Sequence, residues 1–541
     1  MVMDGHFADW QRAGARLLTR SATGDGGGLP LDTLWAADDP AWMYLSFAVR
    51  DTITAQGLPG TLHLLLDTDD EPATGATVLG MAGVDAVIDL SRTNPGTPGT
   101  RGAGAALRTP VADSQPPRLG SYRNAHDVGL LMLPTWSSRR FELRIARAGA
   151  ADGAARLGPR VRVEMVFADQ GTILSRSGAA RYTMGTRAGP DPSSRATVVP
   201  SRAAGSVRVA QWNVASERFL TPARHARLLA AVQPDVVLLD EVYETVSDSS
   251  LAAFFAEPSL AALGRWRWVR SGSGGRQKTI VASRDRTIRP AEAMRRVDFA
   301  PGSLDSLRAI VPADFRRTLE VEERDQVAAT GAWVDVNGVD VLFVPLDLRS
   351  AGYHGSPHDA VRLLQVRAIR GAIARELQGR RAPVVIAGDF NPVGAFAPVA
   401  EMMRGLDIDG RDLQLADNAR LGEATWTTWR DPGVGVFTPG RLDLTLYPGA
   451  ALERTGGFVF ASEDLTTAMA AALGLEREDS QLASDHLIVV TDLTPRHHQA
   501  KHLGRVNASL ISTSAATASA APARHDCRTP PCAPRTAGRP P

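Results

Sequence analysis

The sequence predicts an α/β layered domain over residues 206–495, preceded by an all-β sandwich domain over 1–185. Three observations carry this. Hydrophobicity has a period of two before residue 185. Short apolar runs alternate with helical patterns after residue 206. A stretch rich in Gly, Pro and Ser, 186–205, separates the two textures and reads as a linker.

In the first part, Met43, Leu45, Phe47 and Val49 alternate with positions expected to be more exposed. Phe141, Leu143 and Ile145 do the same around Glu142 and Arg144, and Val161, Val163, Met165 and Phe167 around Arg162 and Glu164. Such strands, separated by Gly/Pro/Asp turns, suit a β-sandwich. The stretch from Ser91 to Gly120 reads as a long loop.

After the linker, Val207–Trp212, Val236–Leu239, Val341–Leu346 and Val384–Ala387 are predicted strands, and Arg224–Val232 a helix. Ser356-Pro357-His358-Asp359 opens a second helix. Ser caps, Pro suits the first turn, and Asp359 completes a capping box. Val361, Leu364, Ala368, Ile373 and Leu377 continue it at helical spacing. Beyond Pro495 the chain turns to Ala, Ser, Thr, Pro, Arg and His and is expected to be disordered.

A length of 541 residues implies two or three domains. The formal net charge of +1 lacks the strongly basic balance of a non-specific nucleic-acid binder, though a local basic groove is compatible with it. The two cysteines, Cys527 and Cys532, lie in the tail, so the globular part is expected to hold neither a disulfide nor a thiolate zinc site. No apolar run is long enough for a membrane span. The chain as written opens on Met1-Val2-Met3-Asp4-Gly5-His6, without a basic n-region or an apolar h-region, so no signal peptide is expected in it. A sandwich partner domain points by association to a secreted or envelope protein; otherwise a cytoplasmic one is expected. The oligomeric state is not legible.

Five polar signals sit at or just beyond apolar strands. They are Asn213, Glu241, Asp389 with Asn391, Asp443, and Asp485 with His486. Each alone could be a turn former, since Asn, Asp and Gly are common where strands stop. Together they supply carboxylates, amides and an imidazole at converging strand ends. That set suits Mg²⁺, with Mn²⁺ as an alternative, holding a phosphate ester.

The segments Gln211-Trp212-Asn213-Val214, Asp240-Glu241-Val242, Gly388-Asp389-Phe390-Asn391, Arg441-Leu442-Asp443 and Ser484-Asp485-His486 together resemble the endonuclease/exonuclease/phosphatase superfamily. This is the family of pancreatic deoxyribonuclease, abasic-site endonucleases, inositol phosphatases and bacterial sphingomyelinases. The resemblance implies a four-layer α/β/β/α sandwich and a divalent-metal-dependent phosphoesterase. It implies Glu241 as the main metal ligand, with Asn213 and Asp485 near the same cation. Asp389 would activate the attacking water, and Asn391 would hold that water or the phosphate. His486 would contact a phosphate oxygen, oriented and charged by Asp443.

One departure stands out. Many members carry a histidine where this chain has Asp347, in Val344-Pro345-Leu346-Asp347-Leu348. Asp347 is either an extra metal ligand, a partner of Arg349 or a turn cap. Arg276 and Lys278, at a strand that often flanks the substrate in the family, touch phosphate or are solvated. Trp426 stacks on a base or sugar or packs in the core. In the N-terminal part, Asp4-Gly5-His6-Phe7-Ala8-Asp9-Trp10 and the acidic loop Asp67–Gly75 resemble carbohydrate-binding-like β-sandwiches. That resemblance implies a glycan partner and a Ca²⁺ site at Asp67 and Asp69, against a solvated turn.

Three functions are therefore in play. The first is a nuclease-like phosphodiesterase. The second is a phosphomonoesterase or a sphingomyelinase-like lipid phosphodiesterase. The third is a glycan-binding surface protein whose phosphoesterase domain is degenerate.

Overall fold

Two antiparallel sheets build the N-terminal part of the computed structural model. One runs in spatial order Arg16–Arg20, Leu31–Asp38, Trp42–Ile53, Ser138–Ala146 and Leu131–Leu133. The other runs Thr172–Arg176, Arg160–Asp169, Thr61–Asp67, Ala86–Leu90 and Ala105–Arg108. Leu45, Phe47, Leu64, Phe141, Leu143 and Val163 fill the space between them, as the period-two pattern predicts.

The predicted exposed face of the first sheet is covered. Tyr44, Ser46, Glu142 and Arg144 are all buried. Tyr44 packs with Met3, Trp10 and Leu131. Glu142 accepts N–H bonds from Asp4 and Gly5 at 2.8 and 2.7 Å and from Trp10 Nε1 at 2.9 Å. Arg144 reaches Glu423 of the second domain at 3.2 Å. The N-terminal segment and the second domain thus take the place of solvent on that face.

The structure describes residues 1–20, 29–90, 104–111, 118–189, 195–216, 222–431 and 438–496. Much of the loop expected over 91–120, part of the 186–205 linker, and the tail with both cysteines lie outside them. Where the linker is described beyond residue 194, it is docked rather than free. Ala196 N donates to Asp464 O at 2.8 Å, and Val199 packs on the second domain's core. Met1–Arg496 forms one compact unit.

The second part holds two further sheets. The first is ordered around β1 (Val207–Ser216), β2 (Val236–Tyr243) and β3 (Gln277–Arg284), with β7 (Ile488–Pro495) pairing antiparallel to β1. The second is ordered around β4 (Val339–Asp347), β5 (Val384–Asp389) and β6 (Asp443–Tyr447). Val209, Leu238, Val281, Phe343, Val385 and Ala387 pack between the two sheets. Helix α1 (Pro222–Val232) covers the outer face of the first sheet, and α2 (Ala313–Asp325) with α3 (Pro357–Leu377) the outer face of the second. This is the expected α/β/β/α layering.

Helix α3 starts where the sequence places it. Ser356 Oγ accepts the Asp359 N–H at 3.3 Å. Asp359 does not return the bond to Ser356, whose N–H already donates to Tyr353 O at 2.9 Å; its carboxylate accepts Gly355 N–H at 3.0 Å.

Candidate active site

Strand parity aims the polar residues. On β5, Val385 and Ala387 face the space between the sheets, so Asp389 does too. The same parity brings Asp347 inward on β4, Asp443 on β6, and Gln211 and Asn213 on β1. Register sets them side by side: Asp347 pairs with Asp389, Asp389 with Asp443, and Asn213 with Asp240. Glu241 is the exception. Val237, Leu239 and Val242 belong to the outer core, and simple alternation would send Glu241 there. Instead the ladder slips between Leu239 and Val242, and Glu241 adopts φ +51. That left-handed residue turns its carboxylate into the site. Asn391, at φ +45, turns the chain sharply after β5 in the same way.

The contacts link Asn213, Glu241, Asp389, Asn391, His486 and Asp443, and Asp485 lines the same cleft. His486 Nδ1 and Asp443 Oδ2 are 2.8 Å apart. His486 Nε2 lies 3.7 Å from Asp389 Oδ2. Asn213 Nδ2 donates to Glu241 Oε1 at 3.1 Å and lies 3.5 Å from Asp389 Oδ2. Asp389 Oδ1 accepts the Asn391 N–H at 2.9 Å, and Asn391 Nδ2 donates to Leu348 O at 2.9 Å. Asp485 accepts the indole N–H of Trp429 at 3.0 Å. All seven principal residues expected from sequence are therefore brought together.

Electrostatics matches the geometry. Burial pushes the Asp389 carboxyl up to about 7, against the opposing pull of His486. Burial would lower the His486 imidazole, but Asp443 and Asp389 outweigh it and hold the ring cationic well above its ordinary range. Burial, then Glu241 and Asp389, raise Asp347 well above the carboxylate range.

The remaining expectations fare differently. Asp347 lines the site but does not pair with Arg349, whose guanidinium reaches Glu322 on α2 at 3.6 Å. Arg276 and Lys278 do not line the cleft; Gly274 and Gln277 form that part of its wall. Arg276 instead lies over the Tyr243 ring at 5.5 Å, and Lys278 Nζ donates to Ser273 O at 3.2 Å. Trp426 faces away, against His6 and beneath the Arg441 guanidinium, and Trp429 takes the place in the cleft.

Two residues quoted in the motifs acquire parts that strand alternation alone did not show. Gln211 Nε2 donates to both Asp240 Oδ1 at 3.1 Å and Asp443 Oδ1 at 3.0 Å. Asp240 is fully buried, and burial, then Asp443 and Asp389, raise its pKa well above the usual range.

Glu241, Asp347, Asp389, Asn391, Asp485 and His486 line a cleft of about 1090 Å³, with Asn213 and Asp443 beneath. The Endonuclease/Exonuclease/phosphatase family model matches residues 210–486, just over half of the chain, and spans this whole set. The chain belongs to that family. As a member it is a metal-dependent hydrolase of phosphate esters.

Solved structures similar to this family member include three of note. Truncated Caenorhabditis elegans TDP2 is 16% identical, with a TM-score of 0.36, covering 53% of this chain and 98% of its own. The human Nocturnin catalytic domain with bound sulfate is 17% identical, with a TM-score of 0.34 and coverages of 55% and 97%. ANGEL2, a 2',3'-cyclic phosphatase, is 16% identical, with a TM-score of 0.34 and coverages of 55% and 98%. No curated protein matched the chain.

The donor set of this endonuclease/exonuclease/phosphatase site fits a hard divalent cation. Glu241, Asn213, Asp347, Asp389 and Asp485 offer only oxygen ligands on the protein side. Burial first, and then neighbouring carboxylates that include Glu241, raise both Asp347 and Asp389, and a bound cation would offset that cost. A tighter group of acids lies in the sandwich, where Asp67, Asp69 and Asp85 present oxygens within 4.8 Å of one another and could hold a metal ion. There, however, Asp67 is already engaged by Arg162 at 2.6 Å. The looser set in the cleft leaves room for waters and phosphate oxygens in the shell of a hard divalent cation.

Proposed function

We propose that this enzyme hydrolyses phosphodiester bonds by attack of a water oriented and deprotonated by Asp389. The observation that supports this most is the chain Asp443–His486–Asp389, with contacts of 2.8 and 3.7 Å, placed beside Asn213 and Glu241. Glu241, with Asn213 and Asp485 near it, would hold Mg²⁺ or Mn²⁺, which supplies charge neutralisation at the scissile phosphate. Asp389, buried beside the His486 ring at 3.7 Å, would take the proton of the attacking water. His486, kept cationic by Asp443, donates to a non-bridging phosphate oxygen as negative charge builds there. Asn391, its side chain anchored on Leu348 O, would hold the attacking water or the phosphate.

The charge of the cleft favours a short diester over a long polyanion. Among the described residues its lining carries the carboxylates of Asp314, Glu322 and Asp325 besides those of the site, with one guanidinium, Arg349, which is paired with Glu322. Those described residues offer no basic track for a nucleic-acid backbone. Initial rates on bis-p-nitrophenyl phosphate, p-nitrophenyl phosphate, sphingomyelin vesicles and plasmid DNA, with Mg²⁺ and with EDTA, test the reading. The diester is expected to be cleaved fastest. Faster release from the monoester or from sphingomyelin would favour the alternatives, and equal inertness of wild type and Glu241→Ala on all four would end the catalytic reading.

A calcium site in the sandwich is a second, separate reading, supported by the closeness of Asp67, Asp69 and Asp85. Calorimetric titration of the full chain with Ca²⁺ should show one saturable event lost in Asp69→Asn; its persistence in that variant counts against the site.

A further inference from the structure

The cleft is not built by the family domain alone. Gln56, Gly104, Met132 and Thr135 of the N-terminal sandwich line it together with Glu241, Asp389 and His486. Thr135 touches two of the segments that flank site residues, the loop after β5 and the turn into β6. Its carbonyl accepts the Gly394 N–H at 3.0 Å, and its hydroxyl accepts the Arg441 N–H at 2.9 Å. Gly394 stands three residues after Asn391, and Val393 N donates back to Asn391 O at 2.7 Å. Arg441 stands two residues before Asp443.

The backbone around Asp443 is consequently held from two sides. Thr428 Oγ1 accepts the Leu442 and Asp443 N–H groups at 3.0 and 2.9 Å. Thr135 holds the residue just before them. Trp136 packs against Phe396 with ring centroids 5.0 Å apart, which extends the contact beyond the cleft. At Gly394, φ is +60, and an added Cβ would meet Thr54 Oγ1 at 2.4 Å and Gln56 Oε1 at 2.8 Å. The sandwich therefore presses on the loop where only glycine leaves room.

We infer that the N-terminal sandwich is a working part of the hydrolytic site: Thr135 is a positioning residue for Asn391 and Asp443, and Gln56 with Met132 forms a wall that reads the substrate's leaving group. This rests on the phosphodiesterase reading above. Thr135 acts through backbone donors, so its loss displaces site groups without removing any. Gln56 and Met132 offer one amide and one adaptable apolar side chain, a pairing suited to a neutral organic group beyond the phosphate.

The test uses the full chain with Mg²⁺ and two diesters, bis-p-nitrophenyl phosphate and a bulkier aryl diester. Thr135→Val should lower kcat about tenfold with KM within about twofold, and Thr135→Ser should restore both. A role confined to stability would lower the melting temperature and leave kcat per folded molecule unchanged. Gln56→Ala and Met132→Ala should shift the ratio of KM values for the two diesters by about tenfold. Wild-type kcat in folded Thr135→Val overturns the positioning role, and unchanged KM ratios in both wall variants overturn the wall. If Thr135→Val does not fold, the wall variants decide. A wild type inert on both diesters overturns the phosphodiesterase reading and this inference with it; an active wild type with unaffected variants overturns this inference alone.

Discussion

Asp443 Oδ2 sits 2.8 Å from His486 Nδ1, which leaves the imidazole's other nitrogen facing Asp389 at 3.7 Å. One carboxylate thus fixes the ring, and the ring addresses the other. Asp443→Asn keeps the shape but removes the charge that holds His486 cationic. It should lower kcat by a factor between about ten and about a hundred, with little change in melting temperature. Steady-state rates on a diester, beside a thermal melt, check this; an unchanged kcat would refute the assigned role.

Removal of the metal should abolish turnover and expose the repulsion among Glu241, Asp347 and Asp389. Mg²⁺ at about a hundredfold excess over its Kd should stabilise the wild type by about 2.7 kcal/mol. In EDTA at pH 8, Asp347→Asn should melt above wild type, because it takes one carboxylate out of a buried like-charged group. The Mg²⁺-induced rise should be smaller in that variant. Thermal scans of both proteins with and without Mg²⁺ provide the comparison.

Gly388 has φ +153, and a Cβ there would lie 1.9 Å from the Leu346 carbonyl oxygen on the neighbouring strand. Backbone cannot yield as a side chain can. Gly388→Ala should therefore cost about 3 kcal/mol or more and reduce the yield of folded protein. Denaturant unfolding of purified protein measures it, and a wild-type midpoint would contradict the clash.

Glu142 supplies a pH dependence remote from the metal. Burial pushes its carboxyl from 4.5 to about 7, although Trp10, Asp4 and Gly5 donate to it. A raised acid binds its proton more tightly in the folded state. Its stabilisation is complete below pH 4.5 and is lost as pH climbs toward 7, by roughly 1.4 kcal/mol per unit at most. Glu142→Gln cannot titrate, so its melting temperature should fall less than wild type's between pH 5 and pH 7.5. Parallel slopes would show that the three N–H donors, not burial, govern this carboxyl.

Much of the site was legible because polar residues closing apolar strands are easy to see. Asn213, Asp389, Asp443, Asp485 and His486 needed only that pattern and the family's order. Glu241 shows in the same pattern, but alternation alone would send it to the outer core; the left-handed backbone that turns it inward is a tertiary fact. Trp426 and Trp429 lie three residues apart in a loop, where no periodicity tells them apart. Pairing with Arg349 is one of three readings the sequence allows for Asp347, because the two are close in sequence, and the partner Arg349 reaches, Glu322, belongs to a helix the pattern did not reveal. Covered strand faces at Glu142 and Arg144, and the reach of Thr135 to Arg441, join residues far apart along the chain, which local patterns cannot report.

The place of β7 has a consequence for synthesis. It lies between β1 and the strand Leu452–Phe460, in the interior of its sheet, and Asp485 and His486 immediately precede it. Until the ribosome has released this stretch, β1 has an open edge on that side and the site lacks its imidazole. On the roles proposed for His486 and Asp485, a growing chain would stay hydrolytically silent until nearly all of the described protein has emerged.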